Sequence, residues 1–302
     1  MTALRLDIPA KINLHLEVLG ARPDGYHEVR TLLQSIDLRD RVIVRPAPAG
    51  RLELEVEPAG IVAADDDNLV MRAARRLWDL IDARPGAHIR LVKRIPVAAG
   101  LGGGSADAAA TLVLLDRMWS LDLDPGSLVE VASALGSDVP FFLVGGLCLG
   151  VGRGDDVTSL PDLVTRDVVV VVPPVRVSTR EVYGRLESRL TWNRPEATLT
   201  AVATGLEREP PWSRLRNDLE SVVCAGWPEV AAARELLTRV ETLRAGVTGS
   251  GAATFALLAE TAAAVGVVDA ARARGWRAEI TRTLSRDEAA PRPVECDEED
   301  GT

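Results

Sequence analysis

Four of the five positions from 100 to 104 are glycine (Gly100, Gly102, Gly103, Gly104), and they separate a strand-like run, HIRLVKRI at 88–95, from a helical pattern over about Ser105 to Met118. Glycine lets the backbone adopt positive φ and approach a ligand closely. A helix that starts there aims unpaired N–H groups and the positive end of its dipole into the same space, which favours an anion. Ser105 reads as the N-cap and can offer its hydroxyl as well. The segment Pro96-Val97-Ala98-Ala99-Gly100-Leu101-Gly102-Gly103-Gly104-Ser105-Ala106 is therefore read as a phosphate cradle. It is not a Walker A loop, since no Lys-Ser/Thr follows the glycines. Nor is it a dinucleotide fingerprint, because Ser105 stands where the third glycine belongs. A tight structural turn is the competing reading.

Around this loop, apolar and polar residues alternate in LRLDI, KINLHLEV, DRVIVRP and RLELEVE, with turns such as Arg22-Pro23-Asp24-Gly25 between, which predicts half-buried strands over the first sixty residues. Asp65–Asp67 is read as a helix start, followed by the stripe Leu69, Ala73, Leu77, Leu80 and Ile81. A helix is expected over about 125–135, and FFLVGGLCLGVGRGDDV reads as two strands or one bent strand. VVVVVPP is a buried strand. Helices are expected near 178–189, 217–224, 228–240 and 260–273, strands around the glycine turn of LRAGVTGSGAATFALLAE, and a strand at 276–283. Early hairpins and later crossovers point to α+β. At 302 residues the length suggests two domains, placed at 1–160 and 161–285. The acidic stretch 286–302 is expected to be a disordered tail.

The net charge of −9 disfavours nucleic acid as a partner. No signal peptide or apolar run long enough for a membrane span is apparent, so no membrane partner is expected. Cys148, Cys224 and Cys296 are odd in number and widely spaced, against a disulfide framework or a zinc site. The protein reads as cytoplasmic, with monomer and homodimer both open. Of the 35 basic residues all but Lys11 and Lys93 are arginine. A retained lysine can mark a place that needs a compact ammonium.

Three further features could carry chemistry. Asp138, in Gly136-Ser137-Asp138-Val139-Pro140, is either a turn residue or a carboxylate that orients or deprotonates an attacking hydroxyl. Lys11 is either on a solvated strand face or placed to steady that acid and neutralise transferring charge. Thr248-Gly249-Ser250-Gly251 is a second glycine turn, equally readable as a plain hairpin.

Together these pieces resemble the GHMP kinase superfamily, whose loop Pro-x3-Gly-Leu-Gly-(Gly/Ser)-(Gly/Ser)-Ser is matched by Pro96 through Ser105, with a late second glycine loop at Val247–Ala252. PAKINLHLEVLG (9–20), RPDGYHEVRTL (22–32), LGSDVPFFL (135–143) and RNDLE (216–220) narrow the likeness to the branch acting on a cytidine diphosphate-linked methylerythritol. The resemblance implies a two-domain α+β fold, the N-terminal domain ribosomal-protein-S5-like and the C-terminal one ferredoxin-like. It implies ATP-dependent phosphorylation of the substrate's 2-hydroxyl in isoprenoid precursor biosynthesis, with Mg²⁺. Lys11 and Asp138 would be the catalytic pair, and Pro96 through Ala106 would embrace the ATP phosphates. Asn13, Tyr26 and His27 would lie on the substrate side, with the Tyr-His pair meeting the cytosine. Ser105 would be the Mg²⁺ contact. The family loop often has further glycines at Ala98 and Ala99, and Asn at Asp107. A homoserine- or mevalonate-type kinase and a non-catalytic nucleotide binder are the alternatives. Asp24-Gly25-Tyr26-His27 argues against the former, and the presence of both Lys11 and Asp138 against the latter.

Overall fold

A computed structural model describes residues 2–187, 212–260 and 264–297. The chain opens with two long antiparallel strands, β1 (Ala3–Ala21) and β2 (His27–Ala47), rather than a series of short ones. Their register slips between Pro9 and Ala10, Asn13 and His15, and Val18 and Gly20. Such bulges bend a strand and re-aim its side chains, and the proline tolerates one because it has no N–H for the ladder. The strand β3 (Leu52–Glu57) runs parallel to β4 (Gly86–Val92), with helix α1 (Leu69–Trp78) as the crossover. Asn68, not the preceding aspartates, caps α1 by accepting the Val70 N–H at 3.0 Å. The helix stops at Trp78, so Leu80 and Ile81 fall beyond the buried stripe of Val70, Ala73, Ala74 and Leu77.

Helix α2 (Gly103–Trp119) packs on the first sheet and is followed by α3 (Pro125–Leu135). Residues 141–144, read as strand, instead belong to a short helix, α4 (Val139–Val144), with proline in its first turn and Phe141 and Phe142 buried. Proline fits there because its missing N–H has no acceptor in a first turn. Strands β5 (Leu147–Val151) and β6 (Asp156–Ser159) follow, and β5 joins the sheet beside β2.

The second sheet has the order β10-β7-β9-β8 and is antiparallel throughout. Its strands are β7 (Asp167–Val172), β8 (Thr242–Val247), β9 (Thr254–Leu258) and β10 (Arg277–Arg282). The unbroken valines of β7 follow from cover on both faces. Val168 and Val170 face the core shared with Ile12, Leu14 and Phe255, while Val169 and Val171 lie in the core with Ala233, Leu236 and Val267. At about 1.5–3 kcal/mol per fully buried valine, these four supply several kcal/mol of gross burial. The helices on this half are α5 (Thr179–Glu187), α6 (Glu220–Gly226), α7 (Pro228–Leu236) and α8 (Ala264–Arg272). The expected last residues of α5 and the first of α8 lie outside the described residues.

One expectation is overturned. From Arg286 the chain is ordered: helix α9 (Arg286–Ala289) begins with a Ser285–Glu288 capping box, and β11 (Val294–Cys296) pairs antiparallel with β1. These residues return to the first sheet and occupy its edge. Residues 298–302 lie outside the described residues. Among the described residues, no helix is long and apolar enough to cross a membrane.

Candidate active site

In β1, residues two apart share a face. Ile12 and Leu14 therefore sit in the core while Lys11 and Asn13 turn to the other side, between the bulges at Pro9/Ala10 and Asn13/His15. Asn13 Oδ1 accepts the Lys11 ammonium at 2.7 Å, and Asn13 Nδ2 donates to Thr31 Oγ1 at 2.8 Å. Asp138 N-caps α4 by position, yet its carboxylate makes no cap hydrogen bond. It faces Lys11 instead, Oδ2 lying 3.4 Å from Nζ, with Lys11 buried and Asp138 37% exposed. Asp138 thus stands in the turn before α4 with its carboxylate directed toward Lys11.

Two clefts adjoin here, sharing Ala98 and Gly100, and the pair lies in the second of them. The first, of about 510 Å³, is lined by Pro96 through Ser105 together with Val62, Asn68, Leu69 and Lys93. Helix α2 starts one residue inside the glycine run: Gly102 is the cap, at φ +75°, and the first helical bond runs from the Ala106 N–H to the Gly102 carbonyl. The preceding amides are left without helical acceptors at the mouth of the helix. Ser105 is accordingly not the N-cap but lies within the first turn, on the cleft wall. Ala106 is fully buried in the core and lines neither cleft.

The glycines also answer to packing. A Cβ at Gly100 would lie 2.3 Å from the Thr248 carbonyl oxygen, and one at Gly102 would lie 2.6 Å from Phe142 Cζ. Only Gly104 of the four is uncrowded, with Leu69 Cδ1 at 3.5 Å. Ala98 adopts φ +54°, a left-handed conformation natural to the glycine often found there in the resembling family.

The second cleft, of about 850 Å³, contains Lys11, Asn13, Tyr26, His27, Arg153, Asp138 and Tyr183, and shares Ala98 and Gly100 with the first. The turn before it is fixed locally: Asp24 Oδ1 accepts the Tyr26 N–H at 3.1 Å, and Arg22 N donates to the Tyr26 carbonyl at 2.8 Å. The Tyr26 amide, with the Arg22 guanidinium at 3.1 Å, holds the Asp24 carboxyl below its usual range. Tyr26 is half exposed, and the Arg153 guanidinium sits 5.0 Å from its ring centroid. Arg153 is itself tethered to Asp155. The His27 ring lies 4.6 Å from that of Tyr183, whose hydroxyl burial pushes strongly toward the neutral form. All three residues expected on the substrate side line this cleft, but the side chain of Asn13 is occupied in holding Lys11.

The second glycine turn closes on the first. Ala253 N donates to the Ala99 carbonyl at 2.9 Å, and Asn217 Nδ2 donates to the carbonyls of Val247 and Gly249. Arg153 and Tyr183 escaped sequence reasoning, while Thr248 and Asn217 carried a signal only as members of the second glycine turn and the RNDLE segment.

Lys93 forms a buried cluster behind the cradle, bonding Asp40 and, at 2.7 Å, Asp107 Oδ2. Asp40 also accepts the Arg94 and Ile95 amides. Burial raises the Asp107 carboxyl well above its ordinary range.

Among the described residues no group of three or more His, Cys, Asp or Glu could hold a metal ion. The oxygen-bearing side chains that line the first cleft include those of Ser105, Asp65 and Asp67. That donor set suits a hard ion that keeps water and phosphate ligands, not one caged by protein.

The chain is similar to known proteins over most of its length. The family model described as GHMP kinases N terminal domain matches residues 68–146. A 4-diphosphocytidyl-2-C-methyl-D-erythritol kinase of Pelotomaculum thermopropionicum is 44% identical over 278 residues, covering 91% of this chain and 96% of that protein. The protein of the same name from Moorella thermoacetica is 41% identical, covering 94% of this chain and 100% of its own length. A crystal structure of 4-(cytidine 5'-diphospho)-2C-methyl-D-erythritol kinase superposes with a TM-score of 0.77 at 35% identity, over 92% of this chain and 98% of that one. A homoserine kinase from Cytophaga hutchinsonii gives a TM-score of 0.74 at 18% identity, over 97% and 98% of the two chains, a likeness of fold alone.

Proposed function

The chain belongs to the 4-diphosphocytidyl-2-C-methyl-D-erythritol kinase family within the GHMP kinases, and we propose that its two clefts bind the partners of that reaction on either side of Lys11 and Asp138. It transfers the terminal phosphoryl group of ATP to the cytidyl substrate in isoprenoid precursor synthesis. The observation that carries the site reading is the Lys11–Asp138 pair, 3.4 Å apart in the Tyr26–His27 cleft that adjoins the glycine cradle.

In this reading the amides at the mouth of α2 hold the β- and γ-phosphates. Asp138 takes or orients the proton of the 2-hydroxyl. Lys11, fixed by Asn13, faces the charge that develops on the transferring group. Most of the acceleration comes from positioning and electrostatics, since phosphoryl transfer leaves little covalent work to the protein. On the acceptor side Tyr26 and His27 meet the cytosine: a ring face can stack on a base, and a His can bond its edge. Mg²⁺ bound with the nucleotide would neutralise phosphate charge, with Ser105 as its protein contact.

A homoserine- or mevalonate-type activity is not favoured, because neighbours of those kinds share the fold at 18% identity or less. ADP release measured with ATP and a panel of acceptors tests the reading. Turnover is expected with the cytidyl substrate and not with homoserine or mevalonate. Turnover of homoserine alone would refute it.

A further inference from the structure

Thr248 directly follows β8 and is fully buried, at the junction of three parts of the site. Its hydroxyl oxygen accepts the Asn13 backbone N–H at 3.1 Å. The same oxygen lies 3.2 Å from Asn13 Oδ1 and 3.1 Å from the Gly100 carbonyl oxygen. Both neighbours are acceptors, and a hydroxyl has one hydrogen to give. The Asn13 amide cannot turn over to help, because its Nδ2 is committed to Thr31 and its Oδ1 to the Lys11 ammonium. The hydrogen must therefore go either to the phosphate cradle, at Gly100, or to the group that holds Lys11.

The surroundings make this choice consequential. Gly100 packs directly on the Thr248 backbone, and Lys11 N donates to the Leu101 carbonyl at 3.0 Å. Cradle, lysine and second glycine turn thus form one tightly packed unit, so a change of peptide orientation at Gly100 reaches Asn13 through a single hydroxyl. When Thr248 donates to Gly100, Asn13 Oδ1 is left to Lys11 alone. When it donates to Asn13, it shares that oxygen with the ammonium and leaves the Gly100 carbonyl without this bond.

We infer that Thr248 is a positioning residue whose hydroxyl couples occupancy of the nucleotide cleft to the placement of Lys11 for the acceptor substrate. The inference rests on the assignment of the two clefts given above. It requires that nucleotide and acceptor bind cooperatively and that the cooperativity pass through this oxygen. Coupling of this kind is reciprocal and is expected to be roughly 5-fold or more in affinity.

The test is titration calorimetry of the cytidyl substrate into the full chain, with and without saturating non-hydrolysable ATP analogue. It is repeated for Thr248→Val, Thr248→Ala and Thr248→Ser, with a thermal melt of each. Wild type should bind the substrate roughly 5-fold or more tightly when the analogue is present. Thr248→Val, which keeps the shape and loses the hydroxyl, should bring that ratio to about one while analogue affinity alone stays within about 3-fold. Thr248→Ser, which keeps the hydroxyl, should restore the ratio, an effect that loss of packing would not produce. Thr248→Ala answers the same question should the valine variant fail to fold. A hydroxyl-free variant that keeps the wild-type ratio overturns the inference, as does a wild type that binds both ligands independently. Failure of wild type to bind either ligand overturns the cleft assignment and, with it, the coupling.

Discussion

Replacing Gly102 or Gly104 by alanine separates what the glycine run does for the fold from what it does for the ligand. At Gly102 the backbone is at φ +75°, which disfavours an L-residue by about 1–2 kcal/mol. The new methyl would lie 2.6 Å from Phe142 Cζ and 3.0 Å from Lys11 Cγ. Phe142 cannot retreat, being 1% exposed and packed edge-on to Phe141 at 5.1 Å. Overpacking of this kind adds about 1–3 kcal/mol. The sum, about 2–5 kcal/mol, lowers the melting temperature by roughly 4–20 °C at about 2–4 °C per kcal/mol. Lys11 moves with the clash, and misplacement on the ångström scale lowers kcat by as much as ~100-fold. Gly104 lies inside the helix, exposed, with ordinary contact distances. Alanine there gains about 0.5–1 kcal/mol of helix stability but puts a methyl on the cleft wall. A thermal melt paired with steady-state kinetics reads both. Gly102→Ala should melt lower, whereas Gly104→Ala should melt at or above wild type with a KM for ATP raised about 10-fold, one helix-terminal phosphate contact's worth of binding. An unchanged melt in the first variant refutes the packing argument. An unchanged KM in the second refutes the claim that Gly104 is kept for the nucleotide.

Asp138→Asn should lower kcat by about 10²–10⁴ with little change in stability, and rates near wild type would remove Asp138 from the mechanism. Lys93→Met leaves Asp40 and Asp107 buried without their cation and should destabilise by about 3–5 kcal/mol; the deficit seen in denaturant melts should shrink on acidification, because a proton can then replace the lost charge. His15, held neutral by burial with its pKa lowered to about 4, should weaken the fold as pH drops below the ordinary histidine value of about 6.5. The unfolded chain takes up that proton first, so up to about 3 kcal/mol is lost between pH 6.5 and 4, and His15→Gln should flatten this part of the profile.

Much of the site was legible in sequence because its signals are local. Lys11 and Asn13 share a strand face by simple alternation, and the glycine run is contiguous. The physical reason assigned to those glycines was incomplete, however. Crowding at Gly100 and Gly102 comes from Thr248 and Phe142, which no local pattern places there. Arg153 over Tyr26 and Tyr183 against His27 are likewise long-range meetings with no mark in spacing. Phe141 and Phe142 read as strand because an apolar run of a few residues has no period to judge, although Pro140 pointed to a helix start. Composition misled at the acidic C-terminal stretch, where the Ser285-Arg286-Asp287-Glu288 capping box was a readable helix signal.

The pairing of β11 with β1 has a consequence for biosynthesis. Residues 294–296 emerge from the ribosome after the whole second sheet, yet they cover the flank of β1. Until then the early half of the nascent chain has an open border beside Ala3–Arg5, a template for stray pairing with other polypeptides. The first sheet gains its β11 edge only when that late segment folds back onto β1.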